Sequence, residues 1–440
     1  MSREGYVFVR VEGQEDDIFV KATRTRNALN GDTVIVALLK EKVGDKRREG
    51  EIVEILERST RPFVGIFHTV GAQAWVLMQS KTMPYDIEVD IEAAAAMGAV
   101  RGMKVAVVVD RWEKYDLNPK GHLVDVLGMP GANETEMHAI LAEFGLPYRF
   151  EKAVEDAADE ISEKITAADL KGRRDFRDIL TFTIDPADAK DFDDALSLRR
   201  LPNGNFEVGV HIADVSYYVK PGTPVDKEAQ YRGTSVYLVD RTVPMLPEKL
   251  CNKLCSLRPD EDKLTFSAVF EMTPRAAIVD RWFGRTAIRS DRRYAYEQAQ
   301  EVIEKGEAAD EVESAVLDLH KLATILRRKR FASGAVNFER PEMKVLVDEN
   351  GKPVDVYEKI SKEANWLIEE FMLLANRTVA ESIGKVDEGK GKGKGKKSSS
   401  GEKKTSGKTF VYRIHDLPDQ NKLMNLSDFV VKFGHKLQAT

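Results

Sequence analysis

The sequence TIDPADAKDFDDAL at residues 183–196 packs five aspartates and one lysine into residues 185–194. Carboxylates this close repel one another, and some members become protonated unless a positive charge lies between them. A divalent cation supplies that charge, and a phosphate ester is its natural further partner. The pattern predicts a metal site, with a solvated acidic loop as the alternative. An EF-hand calcium loop does not fit, because no glycine follows the acids at the required offset. The five acids are Asp185, Asp188, Asp191, Asp193 and Asp194.

Strand-forming sequence flanks these acids on both sides. Residues 179–184 are apolar and β-branched, which is typical of a strand. Residues 195–201 and 206–213 alternate around the turn sequence PNGN at 202–205, and this pattern predicts a β-hairpin. We therefore expect the acids to be held between strands of one sheet.

Two helices and one low-complexity segment are predicted further along the chain. Apolar residues recur on a single stripe in residues 311–330, as in an amphipathic helix. Residues 364–383 are apolar nearly all round, which predicts a buried helix, and Glu370 within it needs a polar partner. Residues 389–408 contain only Gly, Lys, Ser, Thr and one Glu, so a disordered basic loop is expected there.

Two small β-barrels are predicted for the N-terminal part of the chain. The segments GYVFVRV (residues 5–11) and DIFVK (residues 17–21) resemble the two nucleic-acid-binding strands of a cold-shock domain. This resemblance makes Tyr6, Phe8 and Phe19 candidates for stacking on single-stranded bases. Because a strand exposes only one of its faces, half of these rings could instead fill the barrel core. The strands lie at 6–11, 17–21, 33–39 and 51–56, and then at 62–67, 74–78, 104–109 and 122–127.

Composition narrows the class of protein. A chain of 440 residues predicts two to four domains, and 42% apolar with 32% charged residues is typical of a soluble globular protein. The two cysteines, Cys251 and Cys255, fit neither a disulfide framework nor a CxxC zinc site, which favours a reducing compartment. No apolar run approaches a membrane span and no signal peptide opens the chain, so a cytoplasmic location is expected. A net charge of −6 disfavours a surface that binds nucleic acid everywhere, but leaves room for a basic channel.

Three long stretches together resemble the catalytic domain of the ribonuclease II/ribonuclease R family. They are TIDPADAKDFDDALS at 183–197, HIADVSYYVKPGTPVDKEA at 211–229 and RGTSVYLVDRTVPMLPEKLCNKLCSLRPDEDKL at 232–264. The strings VPMLPE and DEDKL are more similar to ribonuclease R than to ribonuclease II. The resemblance implies a multidomain α/β chain that is truncated at both ends. Its expected parts are cold-shock-like OB barrels at 1–58, with the first strand missing, and at 59–130, a helical connector at 131–171 and an incomplete mixed α+β RNB catalytic domain at 172–440.

The resemblance also implies roles for the aspartates. It indicates Asp185 and Asp194 as direct magnesium ligands. Asp193 would hold the attacking water or a second metal, and Asp191 would steady the others. Asp188 falls outside the four positions of the family motif and is expected to be a surface acid.

An aromatic clamp for the 3′ end of RNA is implied in the same way. The resemblance assigns it to Tyr237 and Phe338, and it indicates Tyr296 as a tyrosine near the active centre. Without the resemblance, Phe338 would be taken as a core residue. A role for Glu370 near the site is a further expectation. The arginines with which the family neutralises the phosphate, and its C-terminal RNA-binding barrel, would lie beyond residue 440.

These expectations predict a magnesium-dependent 3′-to-5′ exoribonuclease that acts as a monomer. It would release nucleoside 5′-monophosphates from single-stranded RNA. The alternative is a non-catalytic RNA-binding protein on the same scaffold. Loss of an aspartate would indicate that alternative, and all four are present. An unrelated metal-binding structural protein would leave the cold-shock-like strands and Tyr237 unexplained.

Overall fold

The computed structural model describes residues 5–14, 16–40, 48–80, 83–113, 116–336, 341–348, 351–384, 408–414 and 416–437. The chain forms two compact units, each assembled from separate segments. The first comprises Met1–Lys164, Val215–Leu254 and Glu339–Ile360, and the second comprises Ile165–Asp214, Cys255–Phe338 and Ser361–Thr440. Of the basic segment predicted at 389–408, only Lys408 lies within the described residues.

A four-stranded sheet begins the first unit. Val7, Ile18 and Val20 are buried on one face of it and form a small core with Ile52. The strand pattern predicted for residues 6–56 is confirmed, although the described residues form an open sheet rather than a closed barrel. The strands are β1 (Val7–Val9), β2 (Ile18–Val20), β3 (Thr33–Lys40) and β4 (Glu49–Glu57), in the order β1-β2-β4-β3.

A closed five-stranded barrel follows in the same unit. Val76, Ile87 and Val107 are fully buried in its interior. Gly121 allows two strands to approach closely, since a Cβ atom there would lie 2.1 Å from the carbonyl oxygen of Val108. The second predicted barrel is therefore confirmed. It contains β5 (Phe63–Val70), β6 (Gln73–Met78), β7 (Ile87–Val89), β8 (Lys104–Arg111) and β9 (Lys120–Gly128), with helix α1 (Ile91–Ala96) between β7 and β8.

Three short helices come next in the chain: α2 (Asn133–Glu143), α3 (Lys152–Asp159) and α4 (Ala167–Leu170). The connector expected at 131–171 is helical, but its residues 151–171 are divided between α3 and α4. The Asp169 carboxylate accepts a hydrogen bond from the Thr166 N–H (2.7 Å), so α4 begins as a separate capped turn.

The remaining elements complete both units. None of the helices in the described parts of the chain is long and apolar enough to cross a membrane. In chain order the elements are β10 (Arg174–Phe176), β11 (Thr181–Asp185), β12 (Asp194–Arg200), β13 (Phe206–Ala213), α5 (Val215–Tyr218), α6 (Pro224–Arg232), β14 (Val236–Tyr237), β15 (Thr242–Val243), β16 (Asp262–Met272), β17 (Ile278–Arg289), β18 (Arg292–Ala295), α7 (Tyr296–Lys305), α8 (Glu311–Ala332), β19 (Glu342–Val347), β20 (Pro353–Lys359), α9 (Glu363–Gly384) and α10 (Gln420–Val431).

A seven-stranded sheet is the centre of the second unit, in the order β10-β17-β16-β13-β12-β11-β18. Strand β11 pairs in parallel with β18 and antiparallel with β12. The predicted hairpin is confirmed, because β12 and β13 pair antiparallel from Asp194 opposite Ile212 to Arg200 opposite Phe206.

Helices α7, α8 and α9 cover one face of this sheet. Phe182 and Leu196 of the sheet belong to the same buried core as Leu319 of α8 and Phe371 of α9. The stripe predicted for residues 311–330 is confirmed by the buried residues of α8. The burial predicted for residues 364–383 is confirmed for one side of α9, which carries Leu367 and Phe371, whereas Leu373 is 41% exposed.

The opposite face of the sheet is polar yet buried. The two ring nitrogens of His211 lie 2.6 Å from Ser267 Oγ and 2.8 Å from Ser197 Oγ. Ser267 Oγ in turn lies 2.5 Å from Thr286 Oγ1. Burial lowers the pKa of His211 to about 3. The neutral imidazole has one donor and one acceptor nitrogen, so it can join hydroxyl groups of three strands in one hydrogen-bonded chain.

Candidate active site

Asp185 and Asp194 lie at the ends of neighbouring strands. Asp185 is the last residue of β11, and Asp194 is the first residue of β12. The two strands pair antiparallel through Phe182 and Leu196. The sheet therefore places both carboxylates at one edge, joined by residues 186–193, which we call the aspartate loop.

Backbone hydrogen bonds anchor the C-terminal part of the aspartate loop. The Phe192 N–H donates to Ser256 Oγ (3.1 Å), and the Leu257 N–H donates to the carbonyl oxygen of Phe192 (2.8 Å). The Ala213 N–H donates to the carbonyl oxygen of Asp193 (3.0 Å). The loop near Asp193 is thus held by residues that are distant in sequence.

The carboxylates of this site are poorly solvated and repel one another. Burial, together with the negative charge of Asp194, raises the pKa of Asp185 to about 7. Burial and the charge of Asp193 raise the pKa of Asp194 to about 6. Asp193 itself is exposed at the loop surface, yet partial desolvation and the charge of Asp191 also raise the pKa of its carboxyl. Asp188 is exposed, as expected for a surface acid.

The donor chemistry of the site fits a hard divalent cation. Asp185 Oδ2 is buried and has no partner at hydrogen-bond distance, although the nearby Thr183 hydroxyl acts on this carboxyl, so the oxygen is available as a ligand. Asp194 lies close enough to raise the pKa of Asp185. Among the described residues, however, no three carboxylate, imidazole or thiol side chains stand together in a metal-binding arrangement as they are placed. The case for a divalent cation at this site therefore depends on the unpartnered Asp185 oxygen and on the fact that the side chains offered as ligands are carboxylates.

Tyr296 lies beside these carboxylates. It is the first residue of α7 and directly follows β18, where Ala295 is paired with Asp185. Burial, followed by the charges of Asp194 and Asp185, raises the pKa of Tyr296 to about 12. Tyr296 thus lies near Asp185 and Asp194, and its hydroxyl stays protonated at neutral pH, while its role near an active centre stays a prediction.

Arg293 also belongs to this site, although the sequence reasoning did not include it. It lies on β18 opposite Thr183 of β11 and donates to the carbonyl oxygens of Pro186 (2.6 Å) and Ala187 (2.9 Å). Its only signal in the sequence is a pair of arginines before Tyr294. Local pattern alone does not show which of the two side chains turns toward the aspartate loop.

Tyr237 lies in the first unit, on the two-stranded ribbon of β14 and β15, and is 71% exposed. The turn of this ribbon is attached to the start of α2. Asn133 donates to Asp240 Oδ2 (2.8 Å), and Arg241 donates to Glu134 Oε2 (2.5 Å). An exposed ring on an anchored ribbon is suited to stacking. The other member of the predicted clamp, Phe338, lies outside the described residues, so the clamp stays a prediction.

Glu370 has a partner of its own within the helical layer. It is 3% exposed, and Arg330 of α8 donates to it from Nη2 (2.6 Å) and Nε (3.0 Å). Arg327 lies 3.6 Å away. These ion pairs compensate the buried carboxylate of Glu370 where α8 and α9 pack together, so its burial is explained without a role in catalysis. A role for Glu370 near the reacting centre stays a prediction.

Three aromatic rings form one cluster on the open sheet of the first unit. Phe8 and Phe19 are directly opposite each other on β1 and β2, and their ring centroids are 5.7 Å apart. Tyr6 lies 5.8 Å from Phe8 and 5.5 Å from Phe19. The core on the other face is aliphatic, with Val7 and Val20 buried. The rings therefore share an outward face, and none of them is needed to fill the core.

Family models match three successive parts of the chain. The RNB domain matches residues 173–439, which is more than half of the chain. The chain belongs to the RNB domain family. A Cold shock domain model matches residues 75–151, and the Ribonuclease B OB domain matches residues 1–55. These matches confirm the predicted fold class of cold-shock and OB domains followed by an RNB domain, while the predicted domain boundaries stay predictions.

Relatives of this RNB chain are found among bacterial ribonucleases. It is 33% identical to Ribonuclease R 1 of Lactococcus lactis over 99% of this chain and 52% of that protein. It is 35% identical to Ribonuclease R of Thermotoga maritima over 99% of this chain and 60% of that protein. The chain therefore spans little more than half the length of these curated relatives.

Solved structures share the fold of this RNB chain. Mycoplasma genitalium RNase R, solved in complex with ribose-methylated single-stranded RNA, superposes with a TM-score of 0.82 at 23% identity, over 98% of this chain and 65% of that one. Yeast Ssd1, described as a pseudonuclease, superposes with a TM-score of 0.62 at 22% identity, over 87% of this chain and 54% of that one. The same fold thus occurs in an RNase R and in a protein described as a pseudonuclease, so the fold alone does not decide the function.

Proposed function

We propose that this chain is the RNA-binding and catalytic part of a magnesium-dependent 3′-to-5′ exoribonuclease. Its substrate would be single-stranded RNA, and its products nucleoside 5′-monophosphates. The observation that carries the proposal is the pair Asp185 and Asp194 at one sheet edge, with raised pKa values and an unpartnered buried oxygen on Asp185. The ribonuclease R relatives support the same activity. The monomeric state and the cytoplasmic location expected from the sequence stay predictions.

The residues of the site divide the work of phosphodiester hydrolysis. Asp185 and Asp194 would hold the magnesium ion, which when bound supplies charge neutralisation at the phosphate and a more acidic water. Asp193, at the exposed surface of the loop, would orient the attacking water by accepting a hydrogen bond from it. Asp191 would keep Asp193 in place. Burial raises the pKa of Asp185 to about 7, so this carboxyl would have to be deprotonated to hold the ion.

Aromatic side chains would hold the RNA without reading its sequence. Every base has a flat face, so stacking tolerates any sequence and contributes roughly 1–3 kcal/mol per base. Tyr6, Phe8 and Phe19 present three rings on one outward face of the first sheet. Tyr237 is exposed on its own ribbon. We assign the first three to the body of the strand, and Tyr237 with Phe338 to its 3′ end.

The direct test replaces Asp193 by asparagine in the intact gene product and follows release of mononucleotides from a uniformly labelled single-stranded RNA with Mg²⁺ present. Asp193→Asn removes one charge at the water-orienting position. We expect the single-turnover rate to fall by about a thousandfold, which corresponds to roughly 4 kcal/mol of transition-state stabilisation. RNA affinity and the melting temperature should change little.

Asp188→Asn is the matched control, since Asp188 is an exposed acid of the same aspartate loop. It should retain the wild-type rate. Hydrolysis by Asp193→Asn within twofold of wild type would refute the role of Asp193. If the wild-type protein binds RNA but releases no mononucleotides with Mg²⁺, the alternative of a non-catalytic RNA-binding protein on the RNB scaffold is the correct one.

A further inference from the structure

A single side chain contacts both ends of the aspartate loop. Arg293 Nη2 donates to the carbonyl oxygens of Pro186 (2.6 Å) and Ala187 (2.9 Å), at the start of the loop. Its guanidinium carbon also lies 5.3 Å from the ring centroid of Phe192, near the end of the loop. The residue stands on β18, the parallel neighbour of the strand that delivers Asp185. One guanidinium therefore spans the two ends of the segment that carries the acids.

The guanidinium is well suited to this position. It is planar, always charged, and has several donors in a rigid fork, so it can donate to two adjacent carbonyls while its face lies against an aromatic ring. A lysine ammonium could supply the charge but has no planar face to stack on Phe192. Within the loop, the Ala189 N–H donates to the carbonyl oxygen of Pro186 (3.1 Å), which adds only a local turn. The start of the loop is thus tied to the sheet through Arg293, whereas its end is tied through Ser256 and Leu257.

We propose that Arg293 is a positioning residue of the candidate metal site, which fixes the conformation of the aspartate loop and thereby the spacing of its carboxylates. The expected effect of Arg293 on metal binding rests on the proposed function. Its structural part, a clamp on residues 186–193, does not depend on that function.

A purely electrostatic role for Arg293 leads to the opposite expectation for the metal. The positive charge acts on the Asp185 carboxylate, so it also repels a cation bound there. If charge were all that mattered, its removal would tighten cation binding. If the clamp matters more, removal lets the loop sample other conformations, and cation affinity falls because the site must be ordered on binding. The sign of the change separates the two roles.

The first test measures hydrogen exchange of the loop amides by mass spectrometry, without metal or RNA. In Arg293→Gln we expect peptides that cover residues 186–193 to exchange at least tenfold faster than in wild type, while peptides of β13 keep their rates. Arg293→Lys retains the charge and should still show accelerated exchange. Arg292→Gln is the matched control, because Arg292 lies on the same strand and pairs with Asp310 (2.8 Å) and the Tyr294 hydroxyl (2.9 Å) instead of the loop.

Wild-type exchange of the loop in both Arg293 variants would overturn the proposal. If Arg293→Gln does not fold, the comparison is made with Arg293→Lys alone.

The second test titrates Mn²⁺ into the same proteins and follows free Mn²⁺ by electron paramagnetic resonance. We expect Arg293→Gln to bind Mn²⁺ about tenfold more weakly than wild type, and Arg292→Gln to bind like wild type. Unchanged or tighter binding by Arg293→Gln would overturn the positioning role. Absence of Mn²⁺ binding by the wild-type protein would instead contradict the metal in the proposed function, and the exchange rates would still decide whether Arg293 clamps the loop.

Discussion

Variants of the buried acid Glu370 distinguish a structural role of this residue from a catalytic one. Its carboxylate is 3% exposed and is paired with Arg330, while the neighbouring Glu369 is 45% exposed and pairs with the same Arg330 Nη2 (2.8 Å). If Glu370 serves to form the ion pair between α8 and α9, its substitution should lower the free energy of unfolding and leave the rate of RNA hydrolysis unchanged. If Glu370 acts at the reacting centre, its substitution should lower the rate of hydrolysis and leave the free energy of unfolding unchanged.

The size of the effect follows from burial and from the remaining partners. Glu370→Gln keeps the shape and an acceptor oxygen but loses the charge-assisted part of two hydrogen bonds, so we expect a loss of about 2 kcal/mol. Arg330→Met should destabilise more, by about 3 kcal/mol, because it leaves a buried carboxylate with only Arg327 at 3.6 Å. The double variant Arg330→Met/Glu370→Met should be more stable than Arg330→Met alone, since it leaves no buried charge unpaired. Glu369→Gln should cost less than about 0.5 kcal/mol, as an exposed pair.

The assay is urea unfolding of each variant, followed by tryptophan fluorescence and circular dichroism. Trp282 and Trp366 both lie in the second unit and report on it. RNA hydrolysis by the intact gene product is measured in parallel. A structural role of Glu370 is refuted if Glu370→Gln unfolds at the wild-type urea concentration while hydrolysis is lost. An equal loss of unfolding free energy in Glu369→Gln and Glu370→Gln would also contradict it, because burial would then not be the deciding factor.

Three further predictions address the sheet and the RNA contacts. Burial lowers the pKa of His211 to about 3. In the unfolded chain the same imidazole binds a proton below about pH 6.5, so protonation favours the unfolded state. Stability should be full well above that pH and fall as the pH drops toward 3, by about 1.4 kcal/mol between pH 7.5 and 5.5; an equal change of the unfolding free energy with pH in His211→Asn would contradict this. Tyr237→Ala should leave longer limit fragments with first-cleavage rates at saturating RNA changed less; a collapse of the rate alone would make Tyr237 part of the catalytic centre. Phe8→Ala should weaken binding of single-stranded RNA by about 1–3 kcal/mol with a melting temperature near wild type; unchanged RNA affinity would show that this ring does not stack on a base.

Much of the fold is local and could be predicted from the sequence. The alternation around PNGN predicted the hairpin of β12 and β13, because strand pairing across a short turn involves neighbouring residues. The periodic stripe of residues 311–330 predicted α8 for the same reason. The excess of aspartates between two strands predicted a metal site, with a solvated loop as the alternative. The structure buries Asp185 but leaves Asp188 and Asp193 exposed, so the metal site stays a prediction.

What only the tertiary structure decided depends on contacts between distant residues. Arg293 and Pro186 are 107 positions apart, and they meet because β11 and β18 pair in parallel across the sheet. Arg330 and Glu370 are 40 positions apart and meet because α8 packs on α9. Local periodicity shows which face of an element is apolar, but not which element covers that face or which polar group ends beside it. The sequence by itself therefore determined the elements and the chemical nature of the acids. Tertiary packing alone decided which carboxylate is desolvated, which is paired, and which arginine holds the aspartate loop.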